Sequence, residues 1–151
     1  MKNKILVFFL AFFLAFFCVS AWAQSSEKLT EIISSETVTV GQIAYLAGTC
    51  GQGLDENEDY DTALAFLKDK GIVSNALEAQ DEATASIAAN IFMKNAGISG
   101  GLFYRIFGCD RYAFKELKNI GLIPQTVDPD MKISGRDAIS ILNDTLDYAK
   151  D

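Results

Sequence analysis

The sequence predicts an all-α fold, a small single-domain helical bundle, and three observations predict it. Apolar residues recur at helical spacing in five separate stretches, which places them on one face of a helix. Hydroxyl or acidic residues precede these stretches and glycines follow two of them, where helix caps belong. The chain also matches itself at an offset of fifty. Ala63, Leu64, Leu67, Lys68, Gly71, Ile72 and Val73 correspond to Ala113, Phe114, Leu117, Lys118, Gly121, Leu122 and Ile123. Similarity at a fixed period marks duplicated units that bury their faces against one another. No stretch alternates at period two for long enough to propose a strand.

The first segment, 1–23, reads as a secretory signal peptide. Lys2 and Lys4 precede an uncharged apolar run from Ile5 to Val19, and Ala21-Trp22-Ala23 supplies the small-x-small cleavage pattern before Gln24. An uncleaved anchor needs roughly 20 apolar residues, and lipidation at Cys18 needs a small residue where Phe17 stands. The segment carries two lysines and no acid, so its removal takes the net charge from −7 to −9.

Residues 24–36 are polar and are expected to form a flexible lead-in, with one helical turn around Leu29 to Ile33. The helical domain then occupies 37–151. Its leading helix opens at Thr39, with Gln42 placed for a capping box and Ile43, Ala44 and Ala47 on the inner face. Glycine-rich connectors are expected at 48–58 and 96–109. Between and after them come two helix pairs, the repeats of about 50 residues. The first helices run from about Tyr60 to Lys70 and from about Arg111 to Ile120. Asp59 and Asp110 serve as caps or first-turn acids, and Gly71 and Gly121 close the far ends. The second helices follow Thr84 and Ser134, with Ala88, Ile91 and Phe92, then Ala138, Ile141, Leu142 and Leu146, facing the core.

These segments resemble the S-layer homology repeat. ALAFLKDKGIV followed by EATASIAANIF, and AFKELKNIGLIP followed by KISGRDAISIL, carry the resemblance, and Val38 to Leu46 looks like the trailing half of another copy. The resemblance implies helical, non-catalytic repeats that attach an exported protein to cell-wall glycan or peptidoglycan. The family's helix start places an arginine directly after the capping threonine. Here Val40, Ala85 and Gly135 hold that position.

Composition excludes several classes. With no histidine, triads and His-ligated zinc are out. An acidic domain with scattered lysines is a poor nucleic-acid binder. No integral membrane segment is expected after signal cleavage. No residue pattern calls for a cofactor, and Ser or Cys nucleophiles lack an imidazole partner, so no catalytic residue is assigned. The two cysteines left after processing, Cys50 and Cys109, predict one disulfide in an oxidising compartment, against the alternative of two buried thiols. Closing a loop of about 60 residues would stabilise by roughly 4 kcal/mol.

The distinctive segment is 100–112. Phe103, Tyr104, Arg105, Arg111 and Tyr112 gather two of the chain's three arginines beside aromatics. Guanidinium forks with flat apolar faces suit a carboxylate, a sugar or a protein partner. The competing expectation is a hydrophobic element filling a gap between helix pairs. The acidic run Asp55 to Asp61 begins like a calcium loop, but Tyr60 and Phe66 stand where an EF-hand needs Gly and Glu. The expected role is an exported, periplasmic or envelope-associated interaction module for cell-wall glycan or an envelope protein. The alternatives are a periplasmic small-ligand or calcium-binding protein and, behind it, a carboxylate glycan hydrolase.

Overall fold

The computed structural model describes residues 19–150, with side chains described from Ser26 onward. The expected signal segment therefore lies, up to residue 18, outside the described residues. Among the described residues seven α-helices follow one another: α1 (Val19–Ser34), α2 (Val40–Ala47), α3 (Tyr60–Asp69), α4 (Ala85–Asn95), α5 (Leu102–Phe107), α6 (Asp110–Asn119) and α7 (Gly135–Tyr148). A π-helical turn, Gly48–Gln52, extends α2. Among the described residues no strand forms; the two antiparallel bridges, Thr39 with Glu82 and Thr84 with Lys132, stand alone.

Local chemistry accounts for the helix ends. Thr39 accepts from the Gln42 N–H at 3.3 Å while the Gln42 side chain accepts from the Thr39 N–H at 3.0 Å, a complete capping box. Thr84, Ser134 and Asp59 each accept from the N–H three residues on. Gly71 and Gly121 adopt φ of +70° and +85°. Those conformations let Ile72 and Leu122 donate back to Leu67 and Leu117, each at 2.9 Å. The α3 and α6 starts stand fifty residues apart, as do those of α4 and α7.

Three helices, α2, α4 and α7, contact one another at the centre, and each carries an outer helix: α3 on α2, α6 on α4 and α1 on α7. The core is mainly apolar, with Ile43, Leu67, Ile91, Phe92, Leu117 and Leu142 at most 2% exposed, and it also buries the polar side chains of Asn90, Asn95 and Thr145. The starts of the central helices are stitched into a ring. Val40 and Gly41 N–H donate to the carbonyls of Asp81 and Ala79 at 2.8 and 2.9 Å. Ala85 and Ser86 repeat this toward Met131 and Pro129 at 2.8 and 3.0 Å. Gly135 donates to Ser35 at 2.9 Å and Val38 to Ile133 at 3.0 Å, which returns the ring to its start. The first N–H groups of a helix have no partner within it; in α2 and α4 the first three are all taken.

Two expectations are corrected. The lead-in of 24–36 is instead helical to Ser34, and α1 is a structural member of the bundle. Ile32 is fully buried, and Glu31 accepts from the Gln42 amide at 3.3 Å and from the Tyr60 hydroxyl at 3.2 Å. Lys28 lies over the Tyr45 ring, 5.2 Å from its centroid, and donates to the Asn57 carbonyl at 3.0 Å. Contacts to residues so distant in sequence order this helix, and local composition carries no trace of them. The disulfide is absent too: Cys50 and Cys109 are both exposed and unbonded. Cys50 belongs to the π-helical turn that packs on Asn95, and Cys109 precedes α6. Neither anchor brings the sulfurs within bonding distance.

The Glu31 contact gives a pH dependence with a definite sign. Burial, reinforced by the Glu31 carboxylate, pushes the Tyr60 hydroxyl up to about 12. The folded state thus keeps a proton that the unfolded chain releases near pH 10. This contribution is intact below pH 10 and disappears as pH rises toward 12. Because the ring is partly solvated, the loss is about 1 kcal/mol rather than the full two-unit value. Urea unfolding at pH 9 and 11.5 should show that difference between the parent and Tyr60→Phe.

Candidate functional site

The 102–112 segment forms a short helix and the start of the next. Gly108, in a left-handed conformation, ends α5 by donating to the Tyr104 carbonyl at 2.7 Å. Of the six residues only Tyr104 turns inward, 7% exposed. Its hydroxyl donates to Asn90 Oδ1 at 3.0 Å, and Asn90 Nδ2 donates to Asp110 Oδ1 at 2.6 Å. That relay pins α5 and α6 to α4. Burial raises the Tyr104 hydroxyl above its ordinary range, with the Asp110 carboxylate and the Cys109 thiol adding to it. Tyr104→Phe leaves Asn90 Oδ1 without its donor, so chemical denaturation should show a loss of about 1 kcal/mol.

The other large residues face solvent. Leu102, Phe103, Ile106 and Phe107 are 67, 59, 62 and 59% exposed. Phe103 and Phe107, one turn apart, both stack on Tyr112, with ring centroids 5.8 and 5.3 Å away and planes 12° and 18° from parallel. The Lys115 ammonium lies 5.5 Å from the Tyr112 centroid. Arg105 and Arg111 are exposed; the ion pairs among the described residues are Lys132 with Glu82 and Lys150 with Asp147. Of the five sequence-predicted residues, Phe103 and Tyr112 are thus brought together on one surface, Arg105 and Arg111 are exposed on α5 and α6, and Tyr104 is the buried anchor of α5. The expected gap-filler would have been buried; this cluster is not. Leu102, Ile106 and Phe107 complete the surface and were readable only as connector.

Among the clefts of the described residues, two resemble each other in lining. The first, 270 Å³, lies between the loop after α3 and the face of α4, and Gly108, Cys109 and Asp110 wall one side. The second, 430 Å³, lies between the loop after α6 and the face of α7. Eight lining positions recur fifty residues on, among them Gly71 and Gly121, Leu77 and Val127, Asn90 and Ser140, and Lys94 and Asp144.

The acidic loop carries a cation of the protein's own. Lys28 Nζ reaches the backbone carbonyls of Asn57 and Glu58, and the Tyr45 hydroxyl donates to that of Glu56 at 2.8 Å. Among the described residues no three carboxylates or thiols converge as metal ligands, and no helix is long and apolar enough to cross a membrane. Comparison with family models, curated proteins and solved structures finds no match for this chain.

Proposed function

We propose that this chain is a non-catalytic interaction module of the cell envelope, exported by its N-terminal segment, that docks a partner through α5 and the start of α6. The observation that carries the reading is the cluster of four large apolar residues, each more than half exposed, on one six-residue helix. Exposed apolar groups that contiguous mark interaction surfaces on soluble domains. Aromatic residues and arginine are also the types enriched where binding energy concentrates.

The chemistry favours a protein partner over a sugar. Sugar recognition needs several convergent polar groups in a concavity; this surface offers two guanidinium groups on an apolar projection. The helix starts of α2 and α4, where the S-layer homology resemblance would look for anion contacts, have their leading N–H groups engaged by loop carbonyls and caps. The equal spacing of the helix pairs supports reading the bundle as a duplicated scaffold that holds this surface out.

Retention on fractionated envelopes tests the proposal. The parent is expected to be retained, and Phe103→Ser with Phe107→Ser is expected to reduce retention at least about ten-fold, as for loss of central interface anchors. Both rings are solvent-exposed, so the melting temperature should stay near that of the parent. Equal retention of parent and variant would remove the surface from consideration. Release of reducing ends from peptidoglycan would instead make the chain a hydrolase.

A further inference from the structure

We infer that the cleft between the loop after α3 and the face of α4 binds a small zwitterion with an apolar side chain, a free aliphatic α-amino acid such as leucine. The inference goes beyond the docking role of α5 and does not depend on it.

Two opposite charges line this cleft without neutralising each other. Asn90 and Lys94 stand one turn apart on the same side of α4, and Asn90 Nδ2 donates to Asp110 Oδ1 at 2.6 Å. All three residues line the cleft. Lys94 is partly buried, yet no hydrogen bond or ion pair among the described residues engages its ammonium. On a chain with 20 acids against 13 bases, a half-buried lysine left unpaired one turn from a held carboxylate is not ordinary surface pairing. The carboxylate is fixed from behind, because Tyr104 and Asn90 are both buried and their relay ends on Asp110 at the cleft. A cation and an anion set apart in this way accept a ligand that carries both charges.

The rest of the lining sets the body and size of the ligand. Ile72, Val73 and Leu77 from the loop and Ile87 and Ile91 from α4 supply aliphatic walls, and a few polar groups among such walls fix a ligand's orientation. At 270 Å³ the cleft falls just below the range of about 300–1,000 Å³ that drug-sized ligands fill. The related cleft on α7 keeps aliphatic groups at three matching positions, Leu122, Val127 and Ile141. It has Ser140 and Asp144 where this one has Asn90 and Lys94, and its lysine, Lys132, is paired with Glu82. The aliphatic framework is therefore common to both clefts, and the set of amide, free ammonium and carboxylate is particular to the first. In it the ligand's ammonium meets Asp110, its carboxylate meets Lys94, and its side chain lies on the isoleucines.

The test uses a reporter that the cleft already holds. Cys109 lines it and Cys50 does not, and both thiols are exposed and unbonded. Alkylation of the purified protein by iodoacetamide is followed at each cysteine by peptide mass spectrometry, with leucine as the probe. Leucine in excess is expected to slow alkylation of Cys109 at least about five-fold and to leave Cys50 unchanged. Lys94→Gln and Asp110→Asn should each raise the leucine concentration for half-protection at least about ten-fold, as for loss of one charged hydrogen bond. The amide introduced at 110 still accepts from Asn90, and circular dichroism confirms that both variants fold. Leucinamide lacks the carboxylate and 4-methylpentanoate lacks the ammonium, so each should protect at least about ten-fold less well than leucine. Equal protection by either compound, or protection by leucine that neither variant weakens, would overturn the zwitterion assignment. No protection by leucine, isoleucine or valine, or equal slowing at Cys50, would overturn the site itself.

Discussion

Replacing Gly135 by alanine is expected to destabilise the fold by about 3 kcal/mol or more, lowering the melting temperature by roughly 10 °C. Two effects oppose each other at this site. Alanine is the better helix former, by up to about 1 kcal/mol, and Gly135 opens α7. Against that, a Cβ there would lie 1.6 Å from the Ile32 carbonyl oxygen and 2.5 Å from its carbon. Both are backbone atoms, so no rotamer change relieves the overlap, and α1 must move. Moving it also breaks the bond from Gly135 N–H to Ser35 and disturbs the buried Ile32. The sign therefore decides between propensity and packing. Thermal unfolding reads it, and faster tryptic cleavage after Lys28 would locate the damage in α1. Arg136→Ala, at the next and exposed position, serves as the neutral comparison. A stabilised Gly135→Ala protein would mean that α1 does not dock as described.

Phe92→Ala is expected to cost about 4 kcal/mol. Phe92 has no exposed surface and belongs to α4, the helix that touches α2, α6 and α7. Removing the ring forfeits its transfer free energy and opens a cavity that four packed helices cannot collapse. Total stability for a domain of this size is about 5–15 kcal/mol, so the variant keeps a small margin or none. Urea unfolding should show a lower midpoint with an unchanged slope. Ile87→Ala on the partly exposed face of the same helix should lose far less.

The readable parts of this fold are those whose cause is local. A threonine or serine three residues before its backbone N–H donor, or a glycine after an apolar turn, acts within one turn of helix. Thr39, Thr84, Ser134, Gly71 and Gly121 all hold the places that their neighbours prescribe. What escaped the sequence depends on distance. Polar residues 24–34 become a helix because Lys28, Glu31 and Ile32 meet residues from 42 to 135. α5 has six residues, too few for a period to show. The cysteine pair was inferred from number and compartment, neither of which encodes separation in space.

The same division runs through the site. Arginines among aromatics single out 102–112 on composition alone. Nothing nearby in the chain says that Tyr104 turns inward, because its acceptor, Asn90, is fourteen positions upstream. Tyr104 is the cost of that blindness: chemically it matches Tyr112, and only the fold tells anchor from surface.

The stitch from Gly135 to Ser35 has a bearing on how the molecule is made. It joins residues a hundred positions apart, so the entropy of closing that loop must be met before the contact returns anything. Translation runs from the N-terminus, so α1 emerges long before the groove that receives it exists. Until residue 135 appears, α1 has its contacts to Gln42, Tyr45, Asn57 and Tyr60 but lacks the α7 face it packs against. The packing of α1 on α7 therefore ties together stretches made at opposite ends of synthesis, and it cannot form before residue 135 has been made.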